Sequence, residues 1–438
     1  MTTMPQVANP KPTSSRAAPL IAARALSAAG ASLASFATDV WVFKRTGSYG
    51  AFVTLLVLAS VTTAILSPFA GKLVDTRHKG RLLLAADGAS AFAILSAFAA
   101  LRLDCLGLGV VGAVVLVLAA AETLRWPAFS ASLSVLTPVA ALPKANGMVE
   151  AARSATVVMG PLLGAAALAS VGLDGVYSFN LALLAVSMLL TFAQCGLPAL
   201  SARHPSSRGG SQGVAAAFRW VRTQPALARL LAFLAAVNCG LAIVSAAQTP
   251  YILSFGTPSL LSGYLALYGA GILCGGALFA RVRTAAAGLT IGLCVTAQGA
   301  IILALGLSRT SAAVWVCGFM LGMVSSMLGA ANQTVWQAMT PHSLQGRVFA
   351  VRAIIGSSAF PVALLASVPL VTHLFDPAIH EGPWAAGLAR VWGAGPEGPL
   401  GLLLAMVGAW IATAVLVLQL GGGLPLDIAG RAGVAEPT

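Results

Sequence analysis

GKLVDTRHKGR, from Gly71 to Arg81, is a short basic stretch between two long apolar runs, roughly 50–70 and 82–103. Each run is about 20 residues, enough to cross a bilayer core of about 30 Å. Five charges thus sit in one tight connection of a chain that carries few charges anywhere. The pattern predicts a structured cytoplasmic loop in a chain that crosses the membrane many times.

The composition sets the class. Of 438 residues, 58% are hydrophobic and 8% charged, and the mean hydropathy is +0.89. A soluble domain carries about 25% charged residues, so this chain cannot build a water-facing surface and is read as an integral membrane protein. The apolar runs are long and continuous. They predict helices, whose backbone is satisfied internally, and exclude the short alternating strands of a barrel. Aromatic-basic patches on which bases could stack are absent. The net charge of +13 therefore reads as membrane orientation rather than nucleic-acid binding. The six cysteines are scattered singly with no C-x-x-C spacing, which leaves neither a zinc site nor a disulfide framework.

Apolar runs read against their breakers give about twelve spans. The first six are roughly 18–43, 50–70, 82–103, 107–135, 146–171 and 176–196. The second six are roughly 227–253, 260–281, 286–307, 311–337, 348–374 and 398–420. A Ser/Gly/Arg-rich stretch, 198–226, separates them, with a polar tail at 1–17 and another at 421–438. The expected domains are therefore an N-terminal bundle over 18–197 and a C-terminal bundle over 227–420. With the N-terminus inside, basic residues favour the cytoplasmic segments by about three to one. The outer loops hold only Lys44, Arg45, Arg102, Arg309 and Arg390. Both termini are predicted to be cytoplasmic. The halves also look like repeats. LTPVAALPKANG (Leu136–Gly147) and MTPHSLQGRVFA (Met339–Ala350) end corresponding spans, and GKLVDTR falls on GALFARVR (Gly276–Arg283) at a similar offset.

Gly71, Leu73, Asp75, Arg77, Gly80 and Arg81 resemble the signature loop between spans two and three of the major facilitator superfamily. The departure is Thr76, where that family has a basic residue. The resemblance implies a gate latch: Gly71 for close helix approach, Asp75 as a cap on a neighbouring helix N-terminus, and Arg77, Lys79 and Arg81 as partners for carbonyls and acids. A solvated orienting loop is the competing reading. In the fifth span, Thr156, Gly160, Pro161, Gly164 and Ala165 resemble the motif of the superfamily's drug:proton antiporters, with two of the motif's glycines replaced. Ordinary helix packing competes with that reading. Longer stretches, among them Thr38–Ser48, Arg125–Pro138, Leu142–Ala155 and His373–Pro383, resemble a branch that includes macrolide-efflux and enterobactin-exporter-like proteins. The resemblance implies an all-α fold of twelve transmembrane helices in two six-helix bundles, located in a bacterial cytoplasmic membrane. It also implies export of an amphipathic drug, siderophore or peptide-like metabolite by proton antiport.

Acids inside a membrane are costly and point to function. Glu122 lies near the middle of span four with Arg125 at i+3 on the same helix face. Asp39 sits toward the outer end of span one. Spans one, four, seven and ten line the cavity in this superfamily, so these three residues are the expected pathway. A carboxylate in low dielectric can bind and release protons near neutral pH. The assigned roles are Glu122 as the coupling proton site, Arg125 as its tuning partner, and Asp39 as a substrate group or second proton site. A purely structural Glu122–Arg125 pair is the alternative. Asp87, Glu150 and Arg153 are read as partners of the basic loop, and Arg24 and Arg352 as side chains that snorkel to the inner interface. Asn238, Gln248, Tyr251, Tyr268 and Asn332 are secondary pathway candidates. The loop 375–397, with Trp384, Arg390 and Trp392, is expected to hold an amphipathic element in the outer interface.

The five histidines lie in loops or at span ends without H-E-x-x-H, and no G-x-x-x-x-G-K-[ST] occurs. No enzyme, cofactor or metal site is expected. The partners are a small-molecule substrate, protons and the lipid bilayer, and the chain is expected to be a monomer. A proton-coupled importer of the same fold and a non-transporting membrane scaffold are the rival readings.

Overall fold

The structure, a computed structural model, describes residues 17–137, 142–197, 200, 210–279, 281, 287–341 and 344–420. The expected terminal tails fall almost wholly outside these residues. So do the side chain of Asp75 and that of Glu150.

Every described element is helical. The helices are α1 (Ala18–Thr46), α2 (Tyr49–Thr76), α3 (Lys79–Arg102), α4 (Leu108–Leu136), α5 (Leu142–Gln194), α6 (Gly210–Thr223) and α7 (Pro225–Phe255). After them come α8 (Pro258–Phe279), α9 (Ala287–Leu307), α10 (Ser311–Met339) and α11 (Gln345–Pro369). A π-helical turn, Leu370–Phe375, leads into α12 (Asp376–His380), α13 (Ala385–Trp392) and α14 (Glu397–Leu420).

Eleven of the described helices are long and apolar enough to cross a membrane, against the twelve spans expected. The difference lies in α5. Its apolar part, Val158–Gln194, has 37 residues, about 55 Å of helix at 1.5 Å per residue, nearly twice the bilayer core. Gly172 breaks it with φ +69 and ψ −176, a conformation that glycine adopts without a Cβ clash. The expected boundary between spans five and six, 171 to 176, brackets this residue. The element is two crossings, which brings the apolar spans among the described residues to the twelve expected.

Large apolar side chains such as Phe69, Phe92, Leu189, Phe192 and Val362 are exposed on the helices, as lipid-facing residues are. Many intramembrane hydroxyls bond the carbonyl one turn back, as Thr38 does to Ala34 and Thr123 to Ala119, both at 2.7 Å. That satisfies them without water.

The chain forms two compact units. One comprises Met1–Ala31, Ile65–Thr156 and Tyr177–Ser206; the other comprises Ser32–Ala64, Val157–Val176 and Ser207–Thr438. The first packs α3 on α4, with a cluster that includes Leu20, Val74, Leu83, Phe129 and Leu133. The second is built on small-residue seams. Gly271 and Gly275 of α8 lie against the α10 backbone at Phe319 and Met323, while Gly318 and Gly322 of α10 lie against Tyr264 and Tyr268 of α8. Gly299 and Gly306 of α9 meet Gly408 and Gly401 of α14 in the same way. Lacking Cβ atoms at every fourth or seventh position, these helix pairs approach backbone to backbone and gain dispersion energy that lipid does not offer.

The basic connection is shorter than its sequence suggests. Helix α2 runs on to Thr76 and α3 begins at Lys79, so most of the expected loop is helical. Gly71 is exposed, and no atom lies within 4 Å of where its Cβ would stand; it mediates no close helix approach. The N-terminus of α3 is capped by His78, whose Nδ1 accepts from the Arg81 amide at 3.4 Å. Gly80 is the close-packed glycine, facing Cys195 Sγ. Arg77 and Arg81 are exposed, and Lys79 is buried at 1% exposure. The expected linker 198–226 contains α6, whose Ala217 and Val221 are buried while Phe218 is exposed.

Candidate functional site

The charged side chains expected in the pathway converge within the first unit, Asp39 excepted. Arg125 on α4 is the hub. Its Nε donates to Asp87 Oδ1 at 2.9 Å, its Nη1 to Glu122 Oε2 at 2.6 Å, and its Nη2 to Ser90 Oγ at 2.6 Å and the Ala86 carbonyl at 3.3 Å. Asp87 on α3 also accepts from Ser187 Oγ at 2.8 Å, in the second helix of α5. Glu122 completes the chain: its Oε1 accepts from Arg24 Nη2 of α1 at 2.6 Å. Two cations and two anions thus link α1, α3, α4 and α5 in one network of zero net charge.

Burial differs along this network. Arg125 and Asp87 retain 5% and 3% exposure, whereas the Glu122 side chain is 46% exposed and that of Arg24 18%. The inner pair is locked by five hydrogen bonds. The outer pair has one face open. A small cleft lined by Arg24, Ser27, Asp87, Arg125, Ser187 and Thr191 runs beside it.

Two expectations are corrected here. Asp87 does not serve the basic loop; it is the buried anion of Arg125. Arg24 does not snorkel; it spans from α1 to Glu122 on α4. Both follow from the cost of isolated charge in an apolar unit, which drives each group to the nearest opposite charge. Arg352 also stays inside. Its guanidinium stacks over Trp336 at 6.0 Å and Phe349 at 5.7 Å, a cation–π arrangement, and its buried Nη1 has no hydrogen-bond partner among the described residues.

Asp39 lies in the second unit, apart from that network. With Ser32, Ser35, Phe36, Pro161, Thr249, Leu261 and Leu265 it lines a cavity of about 190 Å³. Ser35, one turn earlier, hydrogen-bonds it, and among the described residues no cation pairs with it. Pro161 joins this cavity to the α5 motif. Gly160 faces Ser32, and Gly164 faces Phe36 and the Leu33 carbonyl, so the glycines seat α5 against α1 beside Asp39.

The secondary candidates scatter. Gln248 accepts from Tyr264 OH at 2.8 Å. Tyr251 is fully buried, donating to the carbonyls of Ser308 at 2.8 Å and Gly306 at 3.2 Å, so it serves packing. Tyr268 offers its backbone to Gly322. Asn238 is exposed, its amide 3.5 Å from the Cβ position of Gly356, and the buried Asn332 Oδ1 has no partner among the described residues. Sequence reasoning missed Ser90 and Ser187, the hydroxyls that complete the Arg125–Asp87 site; nothing local marks them. No group of three or more metal-ligating side chains occurs among the described residues.

The profile of the Major Facilitator Superfamily matches residues 20–364. No curated protein matches the chain. Among solved structures, a point mutant of the nucleoside transporter NupG superposes with a TM-score of 0.67 at 9% identity, covering 92% of this chain and 99% of that one. A bacterial homolog of the human lysosomal transporter Spinster, inward-facing and unoccupied, gives 0.65 at 14% identity, covering 93% and 96%. A bacterial homologue of the iron transporter ferroportin gives 0.60 at 16% identity, covering 91% and 99%.

Proposed function

The chain belongs to the Major Facilitator Superfamily and is a multi-pass membrane transporter of small molecules. We propose that it exports an amphipathic drug, siderophore or peptide-like metabolite from the bacterial cytoplasm by proton antiport. Its halves, 18–197 and 227–420, would rock around a mid-membrane site with both termini cytoplasmic. One observation carries the mechanism. Glu122 is half-exposed, and its two oxygens hold two arginines on different helices, Arg24 of α1 and Arg125 of α4.

A proton taken up by Glu122 cancels the charge that holds Arg24. Arg125 keeps Asp87, Ser90 and the Ala86 carbonyl and stays where it is. Arg24 loses its charged partner, so α1 is released from α4 while α3 and α4 remain locked. One protonation thus becomes a helix-scale change, which coupling requires. Asp39, with no cation beside it among the described residues, is the group whose charge cargo or a second proton can neutralise.

The test is flux in proteoliposomes under an imposed pH gradient. Glu122→Gln keeps the shape and removes the titration. It is expected to cut gradient-driven efflux at least tenfold while leaving equilibrium exchange of cargo and thermal stability in place. Asp39→Asn is expected to raise the half-saturation concentration of cargo. Normal gradient-driven efflux by the Glu122 variant would refute the coupling role, and accumulation only in the opposite orientation would make the protein an importer.

A further inference from the structure

We propose that His380 is a proton-operated fastener tying α12 to the turn that precedes α14. The inference is independent of cargo and transport direction. The apolar stretch Ile354–His380 has 27 residues, about 40 Å of helix, longer than the bilayer core. Helix α12 lies beyond span eleven as the hydropathy bounds it, 348–374, and the His380 side chain is 41% exposed.

The His380 ring lies between two oxygens. Nδ1 is 2.9 Å from the Asp376 carbonyl on its own helix, and Nε2 is 3.0 Å from the Ala394 carbonyl across the turn. A carbonyl only accepts. A neutral imidazole has a single N–H, so it can make one of these bonds; the imidazolium makes both. The Asp376 carboxylate, 3.3 Å from Nδ1, favours the same charged ring. Glu381 is the other acid of this segment, and its charge acts in the same sense.

The acceptor across the turn is held in place. Gly393 has φ +81, a left-handed conformation that turns the chain sharply before Ala394. Arg309 donates to the Trp392 carbonyl, and the Glu397 carboxylate lies against Gly393 and Gly395. With the turn fixed, the orientation of α12 follows the state of the ring. Ile379, the residue before His380, is 2% exposed and packs beside Gly398 at the start of α14, so the fastener also covers an apolar contact.

An ordinary histidine titrates near pH 6.5. The two carbonyls and the Asp376 carboxylate hold the His380 ring above that value, so both links are complete below it. The neutral ring keeps its one proton on Nδ1, facing the Asp376 carbonyl and carboxylate, and the cross-turn link is lost as pH rises through the raised value. The segment 376–395 is thus fastened in acid and released in alkali, on the side of the membrane that bathes it.

Hydrogen–deuterium exchange of the full chain in lipid nanodiscs between pH 5.5 and 8.0, corrected for intrinsic rates, tests this directly. Amides within 376–395 should lose protection several-fold as pH rises, with a midpoint above the ordinary histidine value of about 6.5. His380→Gln, which can donate to Ala394 at every pH, should abolish the step, and Asp376→Asn should move its midpoint to lower pH. A flat profile in the wild-type protein, or an unaltered step in His380→Gln, would overturn the assignment.

Discussion

The two units tie their helices together by different chemistry. In the first, α3 and α4 are joined by the charged contact of Asp87 with Arg125. In the second, α9 and α10 are joined by a neutral one, Gln298 Nε2 to Ser325 Oγ at 2.9 Å. Their neighbours follow suit. Around Arg125 stand Glu122 and Arg24, while the second unit relies on Tyr264–Gln248 and on its glycine seams. A neutral contact in a dry interior has a single state. A charged network has as many states as it has protonations, and each one redistributes its arginines. The contrast is between a helix pair held by charge, α3 with α4, and a helix pair held without it, α9 with α10.

Breaking the hub of each region measures that contrast. Arg125→Leu takes from Asp87, which is 3% exposed, the cation it is hydrogen-bonded to. Removing one partner of such a pair costs about 3–5 kcal/mol. Gln298→Leu should cost only about 1 kcal/mol, the net value of a neutral hydrogen bond. Thermal unfolding in detergent should place the two variants far apart. Asp87→Asn added to Arg125→Leu should restore much of the loss, because the harm comes from the stranded carboxylate. Equal losses for the two single variants would erase the distinction between the units.

The seams of the second unit give the next largest effect. A Cβ at Gly322 would fall on the Tyr268 carbonyl, a backbone atom that cannot rotate aside. Gly322→Ala must therefore spread α8 from α10, at about 1–3 kcal/mol. Gly71→Ala, at an exposed position with no neighbour within 4 Å, should be neutral or slightly stabilising, since it replaces a helical glycine. Matching thermal shifts for the two variants would show that the close approach does not hold the unit together.

Much of the helix pattern is legible in the sequence because lipid imposes it. Hydropathy alone places α1, α4, α9 and α10 within about three residues of their ends, and the i, i+3 spacing puts Glu122 beside Arg125. What escapes depends on distance along the chain. Arg24 meets Glu122 across 98 residues and Ser187 meets Asp87 across 100, separations that no local pattern reports. A local reading gives Arg24 to the interface and Asp87 to the basic loop, whereas the decisive quantity is the position of the nearest opposite charge. The basic connection misleads in another way. Its charges suggest a loop, yet helix α2 continues through Lys72 and Thr76 because nothing in that run breaks a helix.

The smallest predicted effect concerns a contact that belongs wholly to the second unit. Tyr49, at the start of α2, donates to Ser367 Oγ of α11 at 2.9 Å, and Ser367 donates onward to the Leu364 carbonyl at 2.7 Å. Both residues are buried, and a Cβ at Gly50 would stand 3.6 Å from Val368 beside them. Tyr49→Phe removes one neutral hydrogen bond and leaves Ser367 its backbone partner, so the loss is about 1 kcal/mol, roughly fivefold in an equilibrium constant. If α2 and α11 part during transport, that fivefold appears as a shift toward the parted state. A single cysteine at position 50 in a cysteine-free background reports it through its rate of maleimide labelling. The rate should rise about fivefold with Tyr49→Phe, and Ser367→Ala should give a similar rise, since it removes the same acceptor. An unchanged rate in both variants would mean that α2 and α11 stay together throughout, and that the second unit is rigid even where its hydrogen bonds are weakest.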